Sequence, residues 1–133
     1  MPKEKKLFVL IIDDDPFLSE MYSTRFKQDK FEADVAVNGE EGFQKAKEKK
    51  PDLILLDVVM PKMDGFETLK ALKDNIETKG IPVILLTNLG QREDVEKGLK
   101  LGADDYVIKA HFTPTEVLKR AEKVLESRKS KSK

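Results

Sequence analysis

Five short apolar runs punctuate the chain, and each is followed by a stretch whose apolar residues recur every three or four positions. Leu7-Phe-Val-Leu-Ile-Ile12 is unbroken, which predicts a strand buried on both faces. It ends in Asp13, Asp14 and Asp15, and Asp15 before Pro16 predicts a helix start: a capping carboxylate, then proline at the first helical position. Leu18, Met21, Tyr22 and Phe26 supply that helix's apolar stripe. Ala33, Val35 and Val37 alternate with polar residues, predicting a more exposed strand over 32–37, at a sheet edge. Asn38-Gly39 breaks it, and a helix over about 40–49 turns Phe43 and Ala46 inward. Leu53-Ile-Leu-Leu56 predicts a third, buried strand ending at Asp57. Pro61 and Asp64-Gly65 fill a loop, and Asp64 caps a helix carrying Phe66, Leu69 and Leu72. The fourth strand covers 82–86 and ends at Thr87; a helix near 91–101, with Val95 and Leu99 inward, stops at Gly102. The fifth strand, 106–108, ends at Lys109. Thr113-Pro-Thr-Glu116 is a capping box, and its helix sets Val117, Ala121, Val124 and Leu125 on one face.

Continuous apolar strands alternating with amphipathic helices predict an α/β protein: a doubly wound five-stranded parallel sheet with helices on both faces. The first strand is among the most apolar and the second the most polar, which favours strand order 2-1-3-4-5. A ligand site is then expected outside the carboxyl ends of the strands, where the strand order reverses.

Composition narrows the choice. At 133 residues a single domain is expected. With no Cys, thiol catalysis and Cys-ligated metals are excluded, and a lone His111 disfavours zinc. No apolar run is long enough to cross a membrane and the first residues lack a signal-peptide core, so a cytoplasmic protein is expected. The 25 basic and 25 acidic residues balance, but unevenly. Residues 1–6 are read as a basic extension, 7–126 as the acidic folded domain, and 127–133 as a basic, solvated and frayed tail.

Strand 1 ends in Asp13 and Asp14, strand 3 in Asp57, strand 4 in Thr87 and strand 5 in Lys109. Polar residues beginning where strands stop would explain one or two of these. Three carboxylates beside the reversal point repel one another unless a cation joins them, and an oxygen-only set suits Mg²⁺. Carboxylates, a hydroxyl and an ammonium together suit phosphoryl transfer, which rests on positioning and cationic stabilisation. Asp57, alone on its strand tip, is the candidate nucleophile for an acyl phosphate. Asp13 and Asp14 would hold Mg²⁺, while Lys109 and Thr87 would meet phosphoryl oxygens.

Four segments carry a family resemblance: Ile12-Asp13-Asp14-Asp15, Leu56-Asp57-Val58-Val59-Met60-Pro61-Lys62-Met63-Asp64-Gly65, Ile81-Pro82-Val83-Ile84-Leu85-Leu86-Thr87, and Gly102-Ala103-Asp104-Asp105-Tyr106-Val107-Ile108-Lys109. Intervals of 43, 30 and 22 residues separate Asp14, Asp57, Thr87 and Lys109. The chain resembles the receiver domain of two-component response regulators, of the stand-alone chemotaxis-regulator type, over residues 6–126. The resemblance implies a flavodoxin-like fold and a phosphorelay signal transduction role, with Asp57 accepting a phosphoryl group from a phosphohistidine on a sensor histidine kinase or phosphotransfer protein. It implies Mg²⁺ held by Asp13, Asp14, Asp57 and the Val59 backbone carbonyl, with Thr87 and Tyr106 as switch residues and Lys109 as the phosphoryl-binding lysine. It also implies a signalling phosphoprotein rather than an enzyme. Its helix 4–strand 5–helix 5 surface would change for a downstream protein target, as a monomer or a weak dimer through that face.

Three positions depart from the family pattern. Lys109-Ala110 stands where Lys-Pro is usual, leaving open whether that peptide is cis or trans; Asn88 replaces a small residue after Thr87; and His111, on the nearby loop, reads as a surface histidine. Two other readings compete: a degenerate receiver acting as a phosphorylation-independent interaction module, and an Asp-nucleophile phosphatase of the haloacid dehalogenase type built on Asp13-x-Asp15. The second is disfavoured because Pro16 interrupts that motif and no cap is available to enclose a substrate. Direct DNA binding is not expected, since only seven residues follow the last helical pattern.

Overall fold

The computed structural model describes residues 6–131. Its elements alternate throughout: β1 (Leu7–Ile12), α1 (Pro16–Lys27), β2 (Phe31–Ala36), α2 (Gly39–Lys49), β3 (Leu53–Leu56), α3 (Gly65–Asp74), β4 (Val83–Thr87), α4 (Arg92–Lys100), β5 (Asp105–Ile108) and α5 (Pro114–Lys131). A short 3-10 turn, Lys109–His111, separates β5 from α5. The five strands form one parallel sheet in the order β2-β1-β3-β4-β5, the expected doubly wound arrangement.

Alternation along the strands divides the interior in two. Leu10, Ile12, Ile54, Leu56, Val83 and Leu85 face one side, packed against Phe66, Leu69 and Leu72 of α3. Val9, Ile11, Leu53, Leu55, Ile84 and Leu86 face the other, against Tyr22 and Phe26 of α1 and Val117, Leu118 and Ala121 of α5. Burying a side chain of this size stabilises by roughly 1.5–3 kcal/mol. The unbroken apolar character of β1, β3 and β4 is thus the consequence of both faces being covered.

Details differ from the sequence pattern for identifiable reasons. β2 pairs through Phe31, opposite Leu7, and stops at Ala36. The Val37 N–H leaves the ladder for the Glu41 carboxylate, 2.7 Å away. β4 begins at Val83, because Pro82 has no N–H to donate. In α1 the buried face is Ser19, Tyr22, Ser23 and Phe26, whereas Met21 stands exposed. In α4 the expected inward Leu99 is exposed, and Gly98 is the residue pressed against the sheet. α5 runs on to Lys131, through part of the segment read as a tail, and Arg128 binds the Asp104 carboxylate at 2.8 Å. The basic extension at 1–6, apart from Lys6, and the last two residues lie outside the described residues. No helix among the described residues is long and apolar enough to cross a membrane.

Candidate functional site

The carboxyl ends of β1 and β3, adjacent at the centre of the sheet, deliver their polar residues to one place. Asp13 follows β1, its N–H donating to the Ala36 carbonyl at 3.0 Å, and Asp57 follows β3, its N–H donating to Ile12 at 2.9 Å. Asp13, Asp14 and Asp57 each bring a carboxylate oxygen within 4.8 Å of the others. Asp13 and Asp57 are buried and Asp14 is exposed at the rim.

Lys109, at the end of β5, closes the cluster from the other side. Its ammonium lies 2.7 Å from Asp13 Oδ2 and 3.1 Å from Asp57 Oδ2, and its side chain is only 8% exposed. Burial opposes the lysine's charge, but the Asp13 hydrogen bond and the Asp57 charge outweigh it and raise its pKa. For Asp13 burial is the largest influence and raises its pKa, the Lys109 and Asp15 hydrogen bonds only partly offsetting it. The partners of Asp13 therefore do not fully offset the cost of burying its charge.

The remaining oxygens are fixed by the main chain. Asp13 Oδ1 accepts from the Asp15 N–H at 2.9 Å, and Asp57 Oδ1 from the Val58 N–H at 2.7 Å. Asp15, by contrast, caps α1, its Oδ1 accepting from the N–H groups of Phe17 and Leu18. That engagement argues against an Asp13-x-Asp15 nucleophile pair.

Thr87 ends β4 and is buried, its Oγ1 accepting from the Leu89 N–H at 3.2 Å. Tyr106, in β5, is also buried, and its hydroxyl donates to the Leu89 carbonyl. Burial pushes its pKa up to about 12. Val59 sits in the β3–α3 loop with its side chain exposed. His111 is exposed on the 3-10 turn. Peptide bonds among the described residues are all trans, Lys109-Ala110 included.

Two features had no signal in the residue pattern. The α3 start is seated on the end of β3, Gly65 N–H donating to Val58 O at 2.8 Å. And Asn88 Oδ1 accepts from the Ala110 N–H at 2.9 Å, so two departures from the family pattern meet each other. A separate cleft of about 990 Å³ lies between β5 and α5, but its Arg120 and Arg128 are already paired with Asp105 and Asp104. It holds none of the acid cluster.

The donor set tests the fit of Mg²⁺. It contains only oxygen, and ligands opposed across a Mg²⁺ at ~2.1 Å stand about 4.2 Å apart, close to the spread of this triad. The residues present fit the ion.

A central parallel sheet with an acidic triad and a lysine at its carboxyl edge defines a receiver-type module. The response regulator receiver domain model matches residues 9–122, and the chain belongs to that family. It is 41% identical over 117 residues to a DNA-binding dual master transcriptional regulator, RpaA, of Synechocystis, a match covering 88% of this chain and 48% of the relative. It is 37% identical to the DNA-binding response regulator MtrA of Mycolicibacterium smegmatis, covering 84% and 47%. The chain thus spans about half the length of these curated relatives. Among solved structures, the chemotaxis protein CheY4 of Vibrio cholerae superposes with TM-score 0.84 at 32% identity, covering 90% of this chain and 98% of that one. A CheY-like receiver from Methanospirillum hungatei superposes with TM-score 0.88 at 25% identity, covering 95% and 98%.

Proposed function

We propose that the protein is a phosphoacceptor of a two-component phosphorelay, taking a phosphoryl group on Asp57 from a phosphohistidine of a sensor histidine kinase or phosphotransfer protein. The observation that carries this reading is the position of Asp57. It is buried and is the lone carboxylate at the tip of β3, a central strand, inside the acid triad and 3.1 Å from the Lys109 ammonium.

In the transfer, a carboxylate oxygen of Asp57 forms a bond to phosphorus as the bond from phosphorus to the donor's imidazole nitrogen breaks. The electron pair of that bond stays on the nitrogen. Lys109, held protonated by its neighbours, balances charge on a phosphoryl oxygen, and the Thr87 hydroxyl donates to another. Asp13, Asp14, Asp57 and the Val59 carbonyl would hold Mg²⁺, which would add a second positive charge beside Lys109. The chain then acts on its own phosphoryl group alone and is a switch rather than a turnover enzyme.

The switch is a population shift. A phosphoryl group adds about −1.5 to −2 charge and strong acceptors. Thr87 turning to it gives up the Leu89 N–H, which loosens the loop that also anchors Tyr106. The α4–β5–α5 face, where Leu99 is exposed, is the surface thereby altered for a protein partner or a second copy. At the other rim Phe17, 80% exposed on the first turn of α1, offers an apolar contact to a cytoplasmic protein donor.

Intact-mass spectrometry after acetyl phosphate or phosphoramidate treatment tests the reading. One phosphoryl adduct per chain is expected with Mg²⁺, and none with excess chelator or in Asp57→Asn. Undiminished labelling of Asp57→Asn removes Asp57 from the nucleophile role, and undiminished labelling in excess chelator removes the Mg²⁺ dependence. Repeated turnover of a small phosphate ester would point instead to a phosphatase.

A further inference from the structure

We propose that Asn88 is a positioning residue for phosphoryl transfer, its carboxamide clamping the peptide that follows Lys109; this rests on the phosphoacceptor reading above. Three observations meet here. Asn88 directly follows Thr87 and Ala110 directly follows Lys109, so the 2.9 Å bond from Ala110 N–H to Asn88 Oδ1 joins the two loops that bear the phosphoryl-binding hydroxyl and ammonium. The Ala110 N–H belongs to the peptide plane attached to the Lys109 Cα, in a three-residue 3-10 turn. Within that turn the plane is held at its other end by one long bond, the Phe112 N–H donating to the Lys109 carbonyl at 3.3 Å. And the Lys109 ammonium at the other end of its side chain must reach two carboxylates at once, 2.7 and 3.1 Å away.

A proline at 110 would fix the backbone with its ring and have no N–H to satisfy. Alanine does neither, so the turn has both a looser backbone and an orphan donor. The Asn88 carboxamide answers both needs with one bond. It also commits the Asn88 acceptor oxygen to Ala110, not to water at the pocket mouth. The bond is solvent-exposed, so water competes for both partners, and a net hydrogen bond of this kind is worth about fivefold in an equilibrium or rate. The clamp therefore tunes Lys109 placement and is not a requirement for folding.

The test compares Asn88→Leu, similar in size with no acceptor, with Asn88→Asp, which keeps the acceptor. Both are set against a semisynthetic chain with lactic acid in place of Ala110, an ester that deletes only the N–H. Labelling rates with phosphoramidate are measured in saturating Mg²⁺ and high salt, alongside thermal stability and Mg²⁺ affinity. The clamp predicts that Asn88→Leu and the ester each slow labelling about fivefold. Asn88→Asp stays within twofold of the wild type, and combining Asn88→Leu with the ester adds nothing. Mg²⁺ affinity stays unchanged in Asn88→Leu and the ester, and their melting temperatures fall by no more than a few degrees. Asn88→Leu labelling at the wild-type rate overturns the proposal, as does a slow Asn88→Leu with a normal ester, which would assign the effect to bulk at the mouth. Should the wild type itself take no label, the phosphoacceptor reading fails separately. ¹³C relaxation of the Lys109 methylenes, without donor or Mg²⁺, then decides: increased motion in Asn88→Leu and the ester supports the clamp, and unchanged motion overturns it.

Discussion

The Tyr106 hydroxyl donates to the main-chain carbonyl of Leu89, and the N–H of that same Leu89 is held by Thr87 Oγ1 at 3.2 Å. One residue of the β4–α4 loop is thus gripped from two strands, β4 through Thr87 and β5 through Tyr106. The loop cannot leave without releasing the aromatic ring, nor the ring without freeing the loop. This gives the proposed switch a physical joint.

Tyr106 should therefore resist ionisation. Burial raises its pKa to about 12, and the nearby Asp94 and Asp57 charges add to the effect. Between pH ~10 and that value the folded state binds more protons at this site than the unfolded chain. Its contribution to stability is complete below pH ~10 and is lost as pH rises through the folded pKa. Tyr22 is raised in the same direction, chiefly by burial. Near-ultraviolet titration of the Tyr22→Phe variant should find no tyrosinate at pH ~10 while folded, and half-ionisation there in urea. A native midpoint near pH ~10 would contradict the buried, bonded hydroxyl.

The sheet was legible because β1, β3 and β4 are covered on both faces and must be apolar throughout. The acid cluster was legible for a related reason: a polar residue ending such a run has only the sheet edge to occupy. The helix faces read less well. α1 approaches the sheet through Ser19 and Ser23, whose small side chains permit contact that a count of apolar residues overlooks, so Met21 was assigned the buried place they take. Gly98 likewise displaced Leu99. The Asn88–Ala110 bond lay beyond reach because each partner alone looks like an ordinary loop residue, and only the fold brings them within 2.9 Å.

Asp13 opposes folding as well as serving the pocket. Its raised pKa means that the native state takes up more protons than the unfolded chain above the ordinary value of 3.8. Its effect on stability thus worsens as pH rises from there through the folded pKa. Asp13→Asn removes the penalty and keeps an oxygen for the Asp15 N–H. In chelator the variant should melt higher than the wild type. In Mg²⁺ the order should reverse, because an ion at a hundredfold its Kd adds about 2.7 kcal/mol to the protein that binds it. Differential scanning calorimetry in the two buffers reads this crossing, and a wild type that melts higher in both would refute it.

Gly98 limits the same ring from the α4 side. A Cβ there would lie 2.5 Å from Leu85 Cδ1 and 3.0 Å from Tyr106 Cδ2. Gly98→Ala gains about 1 kcal/mol in helix propensity but overpacks a filled core, which typically costs about 1–3 kcal/mol. A lower urea midpoint is expected, together with a Tyr106 titration that falls from about 12 as the ring is pressed outward. An unchanged midpoint and titration would mean that the space is not limiting.

Gly65 ties β3 to the loop beyond it. A Cβ at this position would stand 2.2 Å from the Asp57 carbonyl oxygen and 2.5 Å from Val58 Cα. These are main-chain atoms, which have no rotamer to swing aside, so the first turn of α3 would have to lift from the end of β3 and lose the 2.8 Å Gly65–Val58 hydrogen bond. The displaced segment leads back through Val59 to Asp57, so the damage should reach the acid pocket. Gly65→Ala is expected to lose at least about 1–3 kcal/mol by urea unfolding. Its Mg²⁺ affinity and labelling rate should fall together, unlike the Asn88 variants, where rate alone changes. Gly80→Ala supplies the control, since a Cβ there meets nothing within 4 Å and stability should hold or rise slightly. If Gly65→Ala binds Mg²⁺ and takes label as the wild type does, the close seating of α3 on β3 is not what shapes the pocket.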